Sequence, residues 1–136
     1  MNDTNTPIDI TAFDAVQDSD NGYEFELKNP DGVTGTGIFL KIVGSNSDAV
    51  VGWFSKVINT NNVESQMAAR KGKTVPPKSV EENKAQNLDL TVTRVVGWRN
   101  VAQPFSKTLL TTVLQKNPHW VQQITDESDN LGNFTK

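Results

Sequence analysis

Apolar positions change their spacing several times along this chain, and each change marks an element. Tyr23-Glu24-Phe25-Glu26-Leu27-Lys28 alternates apolar with charged side chains, the period of a half-buried strand. Asn29-Pro30-Asp31-Gly32 then supplies turn chemistry, with proline at the second position and glycine at the last. Gly37-Ile38-Phe39-Leu40-Lys41-Ile42-Val43 reads as a second strand, apolar on both faces and ending at Gly44. The two predict an antiparallel hairpin over residues 23–43. A lone hairpin is marginal in water, so its apolar face needs helices or another chain to rest on.

Beyond Gly44 the period becomes helical. Ser45 or Ser47 can cap a helix that starts near Asp48, whose charge suits a first turn. Val50, Trp53, Phe54, Val57 and Ile58 recur at helical steps, and Val63, Met67 and Ala68 carry the pattern to Arg70. The run Asn59-Thr60-Asn61-Asn62 weakens it, because those side chains compete with the backbone for hydrogen bonds. Gly72, Pro76 and Pro77 make residues 71–78 a loop.

Ser79-Val80-Glu81-Glu82 is a capping box. The following Leu88-Asp89-Leu90-Thr91-Val92-Thr93 alternates like a strand, while Ala85, Leu88, Val92, Val95 and Val96 keep helical spacing. Both periods fit; the cap selects a helix, closed by Gly97-Trp98. Ser106 can cap the next, with Leu109, Leu110, Val113 and Leu114 as its buried stripe. Pro118, suited to a first helical position, opens the last, with Trp120, Val121, Ile124 and Leu131 facing inward and Gly132 ending it. The expected fold class is α+β: an N-terminal antiparallel β-hairpin packed with about four α-helices. It forms one domain over 1–136, with a loose arm at 1–12, a helix at 48–70, a helical part at 79–131 and a tail at 132–136.

The size suits one core, since a domain of about 150 residues buries roughly two-thirds of its unfolded surface. Apolar content of 35% is lean, which predicts surface shared with partners. The absence of cysteine removes disulfides and thiolate chemistry. No stretch reaches the ~20 apolar residues of a membrane span. Met1 to Thr6 carry neither a basic nor an apolar leader region, so no secretory signal is expected. The net charge of −3 hides a gradient: −7 over residues 1–35, +4 over 36–80 and zero over 81–136. Only Arg70-Lys71-Gly72-Lys73 offers a basic run, too short to make nucleic acid the favoured partner.

Catalytic and ligand-binding patterns fail on spacing. Gly72-Lys73-Thr74 ends like a phosphate loop, but Met67 stands where the first glycine belongs and a helix precedes it. Gly32, Gly35 and Gly37 lead into a strand, so no helix N-terminus awaits a pyrophosphate. Asp18-Ser19-Asp20-Asn21-Gly22, aligned as a calcium loop, puts Gln17 and Ser19 at ligand positions; a polar turn fits better. His119 is the only histidine and has no acidic cluster beside it in sequence. No catalytic, cofactor or metal residue is therefore assigned. Trp53, Trp98 and Trp120 suit a core, an interface anchor or both.

The C-terminal part holds an ordered set of features. Val95-Val96-Gly97-Trp98 is followed by Arg99-Asn100-Val101, then Pro104-Phe105-Ser106, Leu109-Leu110, Asn117-Pro118, Val121 with Ile124, and Asp129-Asn130-Leu131-Gly132-Asn133-Phe134. In this order, residues 88–136 resemble the tail assembly chaperones of long-tailed bacteriophages. The hairpin and first helix agree only with that family's broad plan, and residues 59–78 find no counterpart.

The resemblance implies a non-catalytic adaptor made in the host cytoplasm and absent from the finished virion. Such a chaperone coats the tape measure protein, helps deliver tail tube protein around it and often self-associates. In many members a translational frameshift adds a C-terminal extension, and a chain ending at Lys136 would correspond to the unextended form. Trp98, Phe105 and Phe134 are the first partner-contact candidates, as aromatic residues not needed inside. A structural virion component, such as a tail tube or head–tail joining protein, is the alternative. A small nucleic-acid-binding regulator resting on Arg70 to Lys73 ranks third.

Overall fold

Four side-chain oxygens set where four of the five α-helices begin, each accepting from an N–H that the first turn leaves free. Asp14 accepts from Gln17 N at 2.9 Å, Ser47 from Val50 N at 3.3 Å, Ser79 from Glu82 N at 3.1 Å and Ser106 from Leu109 N at 3.3 Å. The computed structural model describes residues 6–135. After a 3-10 turn at Ile10–Ala12, its elements are α1 (Ala15–Asn21), β1 (Tyr23–Lys28), β2 (Gly35–Ile42), α2 (Asp48–Arg70) and α3 (Val80–Arg94). Then follow β3 (Val95–Arg99), α4 (Lys107–Lys116), α5 (Pro118–Asp129) and a second 3-10 turn at Leu131–Phe134. The fold is α+β.

The β1–β2 hairpin forms as its alternation predicts, with Phe25 opposite Leu40 and Tyr23 opposite Ile42. Its turn is closed by Asp31, whose carboxylate accepts from Val33 N, Thr34 N and the Thr34 hydroxyl at 2.6–2.9 Å. Those bonds, the Thr34 hydroxyl first, hold the Asp31 carboxyl below its ordinary pKa. Gly32 takes φ +72°, which a residue with a Cβ rarely adopts.

The sheet has a third strand that periodicity assigned to a helix. α3 stops at Arg94, and Val95 turns extended to pair antiparallel with Ile42, as Trp98 does with Leu40. The switch is stabilised from a distance: Val43 N donates to Arg94 O at 2.8 Å. β-branched Val95 and Val96 lose little by leaving a helix, and β2 supplies the hydrogen bonds.

A further correction concerns residues 15–21, which form a short helix where a polar turn was expected. Asp14 with Gln17 makes a capping pair, and Gly22, at φ +85°, ends the helix. Ser19 lies buried against Gly44, where an added Cβ would come within 2.6 Å of Ser19 Oγ. Residues 1–5, part of the expected arm, and Lys136 of the expected tail lie outside the described residues.

One face of the sheet carries the core. Leu27, Leu40, Ile42 and Val95 meet Val92 of α3, Leu110 and Leu114 of α4, Ile124 of α5 and Phe134. Leu131, expected inside, is half exposed; Phe134 fills that place, its ring 6.0 Å edge-on from Tyr23. The proposed tail is thus partly core.

A buried arginine ties three elements together. Arg94 Nη1 donates to Ser128 Oγ at 2.7 Å, Ser45 Oγ at 3.1 Å and Asp129 Oδ1 at 3.2 Å. The Ser128 hydroxyl donates in turn to Val43 O at 2.8 Å, and the Ser45 hydroxyl to Asp129. The ends of β2, α3 and α5 therefore meet at one charged, hydrogen-bonded point.

The opposite sheet face is open to solvent. Arg99 lies over the Phe39 ring, 4.1 Å from its centroid, and pairs with Glu24 at 2.6 Å. Hydrogen bonding from Arg99 is the main cause that holds Glu24 below the ordinary carboxylate pKa. Because the folded pKa is depressed, this contribution is present above the unfolded value of about 4.3. It is lost as pH falls through the folded pKa. Glu24→Gln should therefore melt slightly below the parent at neutral pH and converge with it in acid, measured as Tm across a pH series. A constant gap at every pH would show that the pair contributes nothing through its charge.

Candidate protein-binding surfaces

α2 is the element whose burial and composition disagree. It runs 23 residues, about 34 Å at 1.5 Å per residue, yet Val50 is its only buried side chain. Helical spacing divides its exposed apolar residues into stripes. Val50, Trp53 and Val57 form the inner one, buried or half-buried. Val51, Phe54 and Ile58, at i, i+3 and i+7, form a second that is about half exposed at each position. Val63 and Met67 lie on a third, again about half exposed. The sequence had placed Phe54 and Ile58 with the buried group, since spacing alone does not say how wide a neighbour's cover will be.

That cover is narrow because α2 rests chiefly on α3, with α1 at its start. Trp53 Nε1 donates to Asp89 Oδ2 of α3 at 2.7 Å, which fixes the two helices side by side. Beyond Arg70 the chain turns through Gly72, at φ +68°, and residues 75–78 lie near Asn61, Glu64 and Ser65. Residues 71–79 have no regular structure, as their glycine and prolines predict. α2 and α3 thus make a helical hairpin with an uncovered outer side.

Two recesses lie away from α2. One, of about 580 Å³, lies between α3 and the α4–α5 corner, lined by Leu88, Leu114 and Val121 together with the polar Glu81, Lys84 and Gln122. The other, about 200 Å³ and almost wholly apolar, opens between the sheet and α4, bordered by Ile38, Trp98, Val101, Leu109 and Trp120. An aromatic or aliphatic side chain from another protein suits such an opening in size and polarity.

The three sequence-derived contact candidates fare differently. Trp98 is half-buried, packs edge-on against Phe105 at 5.0 Å and donates its Nε1 hydrogen to Gln103 O at 2.9 Å. Trp98 and Phe105 both pack against the core from its margin, beside the smaller recess in the case of Trp98. Phe134 is 5% exposed and belongs to the core, at the edge of a recess it shares with Phe13 and Leu131. Val51, Phe54 and Ile58, none of which the sequence marked as a partner contact, are the better exposed. The available clue was that α2 carries more apolar positions than one helix neighbour can cover.

His119 sits 5.5 Å from the Trp120 ring, and its Nε2 is buried without a hydrogen-bond partner among the described residues. No group of three His, Cys, Asp or Glu side chains placed to hold a metal occurs among the described residues. No described helix is long and apolar enough to cross a membrane. No protein-family model matches the chain, and no significant match is found among curated proteins or solved structures.

Proposed function

We propose that this chain is a tail assembly chaperone of a long-tailed bacteriophage. It acts as a non-catalytic adaptor in the host cytoplasm that covers the tape measure protein and assists assembly of tail tube subunits around it. The ordered features of residues 88–136 support the family reading. The observation that carries the mode of action is α2, a long helix with one buried side chain and an uncovered Val51–Phe54–Ile58 stripe. A tape measure protein is a long amphipathic helix, prone to aggregate until its apolar stripe is covered. Apolar anchors at i, i+3 and i+7 suit that task, because helix-to-helix recognition reads that spacing. The chaperone binds by burial and releases without making or breaking a bond.

Co-expression with the tape measure protein tests the reading. The chain is expected to keep that protein soluble and to be captured with it. Val51→Ser, Phe54→Ser and Ile58→Ser combined should weaken capture about 100-fold or more, taking about 1 kcal/mol for each anchor. Circular dichroism of the variant should match the parent, since all three side chains are exposed. Undiminished capture would remove α2 from the contact. Mass spectrometry of purified virions is expected to lack the chain; its presence there would favour a tail tube or head–tail joining component.

A further inference from the structure

α1 ends on Asn21-Gly22, the one asparagine–glycine pair in the sequence. The fold itself demands that glycine. Its φ is +85°, and a Cβ there would stand 3.0 Å from Ile42 O. With no side chain on Gly22, its backbone nitrogen is open to the side-chain amide of the residue before it. Asn21 is exposed, and its Oδ1 accepts from Gln17 Nε2 at 2.9 Å, which draws electron density from Cγ. A helix of seven residues frays readily at its ends, so Asn21 can leave helical geometry without opening the core.

We propose that Asn21 is a site of spontaneous deamidation, and that the reaction loosens α1 from the rest of the domain. A solvent base takes the Gly22 amide proton, and the nitrogen attacks Asn21 Cγ. The N–Cγ bond forms, the Cγ–Nδ2 bond breaks, and Nδ2 takes a proton from water and departs as ammonia. A cyclic imide remains, which water opens at one of its two carbonyls. Cleavage of N–Cγ gives aspartate. Cleavage between the nitrogen and the main-chain carbonyl gives isoaspartate, with the backbone routed through the side chain. The sum is amide plus water to carboxylate plus ammonium, with no oxidant or reductant.

What α1 holds sets the consequence. Ser19 O accepts from Gly44 N at 3.1 Å and Asp20 Oδ1 from Asp48 N at 2.9 Å. The two residues just before Asn21's neighbourhood ends thus tie α1 to the segment after β2 and to the start of α2. On the other side, Tyr23 is fixed opposite Ile42 in the sheet. Isoaspartate inserts an extra backbone carbon between those anchors. Either product also puts a negative charge at a helix C-terminus, where it is unfavourable, beside Asp18 and Asp20. Asp31-Gly32 is the built-in comparison: Val33 and Thr34 hold its carboxylate, and Gly32 N donates to Asn29 O at 2.9 Å.

Incubation of the full chain in mildly alkaline buffer, with and without urea, tests the proposal by peptide mapping and mass spectrometry. The expected result is conversion at Asn21 ahead of every other asparagine, in the folded chain as in urea, with isoaspartate detected by an isoaspartyl methyltransferase. In the aged folded chain, the Gly44 and Asp48 amides should exchange hydrogen about tenfold faster or more. Asn21→Ser, aged alike, should keep the exchange rates of fresh protein. An Asn21 that converts in urea but stays an amide in the folded chain would overturn the proposal, as would another asparagine converting first. So would unchanged exchange at Gly44 and Asp48 after conversion, or an aged Asn21→Ser chain that loosens as much as the parent. The chain is measured alone, so the result is independent of tape measure capture.

Discussion

Phe134→Ala is expected to lower the free energy of unfolding by about 3 kcal/mol, the lower end of the range for truncating a buried phenylalanine. The side chain is 5% exposed, packs edge-on to Tyr23 and lies in the same cluster as Ile42, Leu114 and Ile124. Truncation removes apolar contact area and leaves a cavity that the sheet cannot close. The low end applies because Phe134 sits on a short 3-10 turn, Leu131–Phe134, whose Leu131 is half exposed, so the turn can shift inward. Urea unfolding measures it: at about 1–3 kcal/mol per molar for a small domain, the midpoint should move down by 1 M or more. Unchanged stability with loss of partner capture would instead make Phe134 a contact residue, the role its sequence position suggested.

Arg94→Ala should cost a similar amount, about 3 kcal/mol, for a different reason. The variant deletes three hydrogen bonds from one buried guanidinium and leaves Ser128, itself fully buried, to find another donor for its oxygen. The Asp129 side chain is 55% exposed and turns back to water, so the loss stays below that of a fully buried ion pair. Arg94→Met separates packing from charge. Methionine refills the space of the arginine stem, so the part of the loss that remains belongs to the hydrogen bonds. Comparing the two variants by urea midpoint is the check. Equal losses would mean that the stem contributes nothing; no loss in either would mean that the knot does not hold α3, β2 and α5 together.

Much of the local structure was legible. Ser47, Ser79 and Ser106 cap the helices that follow them, and the ends of α2 fall at Asp48 and Arg70, where apolar spacing starts and stops. The capping box at Ser79 differs in detail: the serine hydroxyl lies 3.3 Å from Glu82 Oε1 and can donate to it. The errors concern segments whose partners are distant. β3 was hidden because Val92, Val95 and Val96 satisfy a helical period, and nothing near them in sequence announces β2, more than 50 residues earlier. Phe134 was read as free because Gly132 ends the helical period and no periodic pattern runs through residues 132–135 to mark it as inward-facing. α1 was missed for its shortness; Asp14, Gln17 and Gly22 mark both its ends, but seven residues offer too few apolar positions to show a period.

The contact surfaces divide in the same way. Composition pointed to shared surface, and charge counting exposed the acidic beginning and basic middle, because both are sums over residue types and need no coordinates. Which apolar residues remain outside is a different kind of quantity. It depends on how much of α2 a neighbouring helix covers, and only α3 lies along it. Val51, Phe54 and Ile58 repeat with the same regularity as Val50, Trp53 and Val57. Periodicity is a property of one helix, while burial belongs to a pair; the chain alone specified the first, and only tertiary packing decided the second.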